Sequence, residues 1–122
     1  MSQRLRLFQF ATSLFVLIAM SGCDYYSDRM SVGEQQLKQG KYPQAEEAFA
    51  EATTVAEDGE SLYHSLKALA VVYEARGDVE KAEAVRKHAV MVMGHCLEDK
   101  KNGLRPCPVR EGDLEMTSQE SS

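Results

Sequence analysis

Tryptophan is absent from the chain, and the other aromatics are few, with four phenylalanines and five tyrosines. A hydrophobic core must therefore be built largely from Ala, Val and Leu. No apolar run reaches the roughly 20 residues that a comfortable membrane-spanning helix needs. Basic clusters are also missing. The formal net charge is −5, which argues against nucleic acid and against electrostatic capture by anionic headgroups, since both need concentrated Lys and Arg. No phosphate loop, metalloprotease helix or haem attachment motif occurs. Paired C-x-x-C spacing, the usual sign of a structural zinc site, is lacking too. The expectation is a chain with no cofactor and no enzymatic activity.

What is present begins at the N-terminus. Arg4 and Arg6 precede a mostly apolar stretch from Leu7 to Met20, followed by Ser21, Gly22 and Cys23. A basic start, a short apolar run and small residues at its end describe a secretory signal peptide. The ending Met20-Ser21-Gly22-Cys23 resembles the bacterial lipobox, in which the cysteine thiol is lipidated and the signal is cut just before it. The resemblance implies a signal peptide over 1–22, an acylated Cys23, a short tether at 23–25 and a membrane reached through a lipid anchor. Asp24 resembles the residue that retains enteric lipoproteins in the inner membrane, so inner-membrane localisation facing the periplasm is expected. Removing residues 1–22 takes away two arginines and no acids. The remainder holds 12 Lys+Arg and 19 Asp+Glu, a formal charge of −7. About 100 residues suffice for one small domain.

With Cys23 set aside, two of the three cysteines remain, Cys96 and Cys107. An even remainder in an exported chain reads first as a disulfide. Closing that loop contributes roughly 3 kcal/mol on the loop-entropy model. The rival is a thiol or metal site using these cysteines with His95 and perhaps His88. It is weaker, because adjacent His95 and Cys96 share a metal only through an awkward turn.

Residues 26–94 read as four helices in two matching pairs. Gly40, Ala45 and Ala52 recur 37 positions later as Gly77, Ala82 and Ala89, and Gly33 shares its register with Ala70. Gly40 and Gly77 suit the left-handed ends of helices, Pro43 a first helical turn, and Asp78 an N-cap. Ser61 also reads as an N-cap, after Gly59. Ala45 and Ala52, like Ala82 and Ala89, are seven apart on one helix face. Small side chains there let helices approach closely, while Phe49, Val55, Val85 and Val92 fill the space between. Leu62, Leu66, Leu69 and Tyr73 form a stripe at helical spacing.

These markers resemble the tetratricopeptide repeat, a helix–turn–helix unit of about 34 residues. Gly33, Gly40, Tyr42, Ala45, Phe49 and Ala52 carry one unit (about 26–59). Leu66, Leu69, Ala70, Tyr73, Gly77, Ala82 and Ala89 carry the second (about 63–94). The fold class expected is therefore all-α, with two hairpins. Such units bury one face against a neighbour, and two are fewer than usually stand alone. Residues 95–101 as a capping helix, self-association, or a partner protein must cover the ends, with 95–107 serving as cap or disulfide loop. Pro108 onward reads as a disordered tail over 108–122.

Glu60, Ser61, His64 and Ser65 lie close in sequence but come from one element, without the convergence that catalysis needs. His88, beside Arg86 and Lys87, reads as solvated. The acids Glu46, Glu47, Glu51, Glu57 and Asp58 read as a solvated face rather than a calcium site, since they lack the alternating loop spacing. Binding remains. The tetratricopeptide resemblance implies a groove lined by the first helix of each pair, here Met30, Glu34, Leu37, His64, Lys67, Val71 and Glu74. Alternatively, Met30, Leu37 and Val71 are ordinary packing residues. Lys67 alone does not make the carboxylate clamp of chaperone-binding members. The function expected is a protein-binding adaptor or assembly factor for an envelope complex such as secretion, pilus or cell-wall machinery. The alternative is a self-associating structural lipoprotein.

Overall fold

The computed structural model describes residues 25–114. Cys23, Asp24, the signal segment and residues 115–122 lie outside the described residues. The fold is all-α, in two helical hairpins: α1 (Tyr25–Lys38) with α2 (Tyr42–Val55), and α3 (Gly59–Ala75) with α4 (Val79–Lys101). Each helix packs on the one before it, so the four run alternately up and down. The arrangement is consistent with two tetratricopeptide-like hairpins.

Local chemistry explains the helix ends. Gly40 and Gly77 adopt φ of 73° and 83°, a region that costs an L side chain but not glycine. Pro43 occupies the first turn of α2, where its missing N–H forfeits nothing. The Asp78 carboxylate caps α4 by accepting from the Lys81 amide. Asp58, rather than Ser61, caps α3: its Oδ1 accepts from the Ser61 amide at 2.7 Å. Ser61 sits inside the first turn because the helix already begins at Gly59.

The seven-residue alanine register is the close-packing register. Ala45 and Ala52 are fully buried, and Ala82 and Ala89 are 1% exposed. Gly33 lies so close to α2 that a Cβ there would stand 2.5–2.8 Å from the Phe49 ring. One core cluster joins Ala45, Phe49, Leu69 and Val72. A second joins Leu62, Leu66, Ala89 and Val92. Val85 packs against both and links them.

Three expectations are corrected in the C-terminal third. Residues 95–101 are not a separate capping helix but the last turns of α4, which runs unbroken to Lys101. Nor is the chain a free tail from Pro108: through Leu114 it returns along the domain as a strap. Gly103, at φ 83°, turns the chain out of α4, and the Leu104 amide donates back to Asp99 O at 2.9 Å. Cys107 then reaches Cys96 in a disulfide across a Cα–Cα distance of 5.2 Å. Cys107 O accepts from the Gly59 amide at 2.9 Å, and Pro108 pairs with Asp58 in an isolated antiparallel bridge. Val109 packs on the second core cluster, and a short 3-10 turn follows at Glu111–Asp113.

His88 is the third correction. It is buried rather than solvated, with Nε2 against Asp113 O. Its neighbours Arg86 and Lys87 suggest solvent. Its register, three after Val85 and four before Val92, places it on the inward face.

Candidate functional site

The seven residues expected to line a partner groove divide by depth. Glu34, His64, Lys67, Val71 and Glu74 are exposed. Met30 and Leu37 are half-buried and pack on the first core cluster, the outcome of ordinary hairpin packing. On α3, the spacing of His64, Lys67 and Val71 keeps them on one face. Val71, 48% exposed, is the apolar centre of that face. Lys67 lies over the Tyr63 ring with Nζ 5.3 Å from the centroid. Glu74 is ion-paired with Arg86 across to α4, which turns it away from free use by a ligand.

A cleft of about 350 Å³ opens at the other end of these helices, where α1 starts and α3 is capped. Tyr25, Tyr26, Val55, Glu57, Asp58 and Ser61 are among its walls. The Tyr26 hydroxyl donates to Ser61 O at 2.7 Å, joining the two hairpins. Burial, with the nearby Asp58 charge adding to it, pushes the Tyr26 phenol above its ordinary value of 10.0. Sequence patterning gave no sign of this cleft, since its walls come from two segments, 25–27 and 55–61, that are far apart in the chain.

A second, smaller cleft of about 170 Å³ is mostly apolar, with Leu62, Leu66, His88, Asp113 and Leu114 in its lining. It borders a polar cluster that fastens the strap. Asp113 is buried, accepting from the Arg110 amide at 3.0 Å and facing His95 Nδ1 at 3.2 Å. Arg110 donates to Asp99 at 2.7 Å, and that bond raises the guanidinium pKa further. Asp99 Oδ2 and His88 Nδ1 are buried without a hydrogen-bond partner. These contacts make a structural clasp. Among the described residues, no group of three or more His, Cys, Asp or Glu is placed to hold a metal ion. Cys96 and Cys107 are instead engaged with each other, and both are buried.

Sequence reasoning missed Asp99, Arg110 and Asp113, and it read Asp58 as a solvated acid and Gly59 as a helix stop rather than as the cap and the disulfide seat they are. A Cβ on Gly59 would stand 2.9 Å from the Cys107 sulfur, so this glycine admits the disulfide against the start of α3. The adjacent Asp-Gly was a legible cap signal, whereas the strap contacts link positions with no periodic relation. Compared with known protein families, curated proteins and solved structures, the chain finds no match.

Proposed function

We propose that the protein is a lipid-anchored, periplasm-facing tetratricopeptide-type adaptor or assembly factor for an envelope protein complex. The observation that carries this reading is the exposed mixed face of α3, where Val71 stands among His64 and Lys67 with no cover from the chain's own hairpins. An apolar centre flanked by polar groups suits an extended or helical protein segment. The lipobox-like Met20–Cys23 supports the anchor. The experiment is capture of partners from membranes with the native anchor in place, compared with a Lys67→Glu, Val71→Asp variant. Specific partners that disappear with the variant support the adaptor. Unchanged partners place binding on another surface.

A second reading, self-association, is favoured by the outer face of α4. Val90 and Met91 are exposed there, and Gly94 has open space where a Cβ would stand. Molecular mass in detergent separates the two readings, since a monomer leaves that face unused between copies.

A further inference from the structure

The end of the domain nearest the N-terminus carries an exposed turn with two cations and a leucine. Helix α1 starts there at Tyr25, and Tyr26 bonds Ser61 at the start of α3. Gly59 and Asp58 hold Cys107 and Pro108, and Lys100 is ion-paired with Glu60. The turn between α4 and the disulfide, residues 101–106, is therefore fastened to the end from which the N-terminal segment departs. Every residue of this turn is exposed: Lys101, Asn102, Gly103, Leu104, Arg105 and Pro106. Leu104, 50% exposed, sits at the tip between two cations. Lys101 and Arg105 have no ion pair among the described residues, whereas Lys100 and Arg110 are already matched.

We propose that this disulfide-held turn is a second membrane contact, in which Leu104 enters the headgroup region and Lys101 and Arg105 meet anionic phospholipid. The inference rests on the anchored reading of Cys23, which lies two positions before Tyr25 and so within about 7 Å along the chain. An acyl group there holds this end of the domain at the bilayer, where weak contacts become effectively intramolecular.

The acids far from this end do not oppose the contact, because charge is read locally. Screening limits interactions to about 8–10 Å at physiological salt. Helix α3, with 17 residues, is roughly 25 Å long. Glu74, Asp78 and Glu80, at its far end, are therefore screened from the bilayer. The acids of the near end among the described residues include Asp28, Glu51, Glu57, Asp58, Glu60, Glu98 and Asp99. Asp58 caps α3, Glu60 and Asp99 are paired with Lys100 and Arg110, and Asp28 and Glu51 share Arg29. Glu57, Glu98 and Asp58, which keeps its charge as a cap, remain to oppose the turn, as does Asp24 by its place in the chain. The contact therefore depends on the exposure of Lys101 and Arg105 at the surface itself. Each Lys or Arg at an anionic surface strengthens attraction roughly fivefold, and a leucine side chain adds apolar burial in the interface.

The absence of tryptophan makes the test clean. Leu104→Trp places the chain's one tryptophan at an exposed position. The chain from residue 23 is bound to vesicles in two ways: through its own acyl group, and, as Cys23→Ser, through an N-terminal hexahistidine on chelator lipid. The vesicles carry brominated acyl chains and either phosphatidylglycerol or only phosphatidylcholine. The expected result is blue-shifted emission and loss of most intensity on phosphatidylglycerol. That loss should be much smaller on phosphatidylcholine, and on phosphatidylglycerol after Lys101→Glu with Arg105→Glu. A Val79→Trp control, exposed at the far end of the domain, should keep its aqueous spectrum. An aqueous spectrum for Trp at 104 in the hexahistidine arm overturns the inference, as does quenching indifferent to lipid charge. Failure of the acyl arm alone to bind vesicles counts against the lipidation of Cys23 and leaves the hexahistidine arm to decide the contact.

Discussion

At the scale of single residues, packing decides the sign of a substitution. Replacing a helical glycine by alanine ordinarily stabilises by about 0.5–1 kcal/mol, because glycine loses more backbone entropy on folding. Gly94→Ala meets open space and should show that gain. Gly33→Ala drives its methyl into the buried Phe49 ring. Overpacking of this kind costs about 1–3 kcal/mol, so the net change should be a loss. Urea unfolding of the two variants checks the contrast, and a gain at both positions would mean that α1 and α2 do not approach this closely. Tyr26 gives a second residue-scale test. Its phenol is raised above 10.0 in the folded protein, so the folded state holds its proton more tightly than the unfolded chain. The associated stability is fully present below about pH 10 and is lost as pH rises through the folded value. Tyr26→Phe removes the bond to Ser61 O and should cost about 1 kcal/mol at neutral pH. Its deficit against wild type should shrink above pH 10. A deficit constant from pH 7 to 11 would place the ionising group elsewhere.

At the scale of elements, the two hairpins were legible and the strap was not. Ala45, Ala52, Ala82 and Ala89 repeat with the helical period, so the sequence alone predicts the buried faces that the structure shows. Residues 107–114 carry no period. Their Pro and Gly correctly signal the absence of an α-helix, yet what buries Asp113 is a set of contacts with His88 and His95 on α4. Of the candidate partner face, the exposure of His64, Lys67 and Val71 followed from spacing, while the depth of Met30 and Leu37 depended on how α1 settles against the core. The strap yields the element-scale prediction. Cys96→Ala with Cys107→Ala should lower stability by about 3 kcal/mol, the loop-closure contribution for an eleven-residue separation. Far-UV circular dichroism should remain strongly helical, since neither core cluster includes a cysteine. Amide exchange should quicken at Gly59, whose N–H is held by Cys107 O, and at Asp113. Unchanged exchange at both would mean that the Asp99–Arg110 and His88–Asp113 contacts hold the strap without the covalent link.

At the scale of the whole molecule, attachment and orientation are separate problems. Among the described residues, no helix is long and apolar enough to cross a membrane. The acyl chains proposed on Cys23 would supply stable attachment, which multiple acyl chains do and one chain does only marginally. Two cations and one leucine in the turn at 101–106 add orientation, since each contributes only weakly on its own. Cys23→Ser in the full chain should therefore abolish lipid labelling and move the protein from the membrane to the soluble fraction after a salt wash. Retention of the variant on washed membranes would refute the lipid anchor. Which membrane is the finer question, and it turns on Asp24. If Cys23 is acylated, a carboxylate beside it would alter how that end sits among headgroups and is presented to sorting machinery, and Asp24 resembles the enteric signal for inner-membrane retention. Fractionation should find the wild type in the inner membrane and Asp24→Ser shifted outward. The 101–106 turn predicts an accompanying effect: Lys101→Glu with Arg105→Glu should leave the fractionation unchanged while loosening the domain from the surface. A wild type already in the outer membrane would refute retention by Asp24. A redistribution caused by the turn variant alone would mean that sorting reads the domain rather than the residue after the anchor.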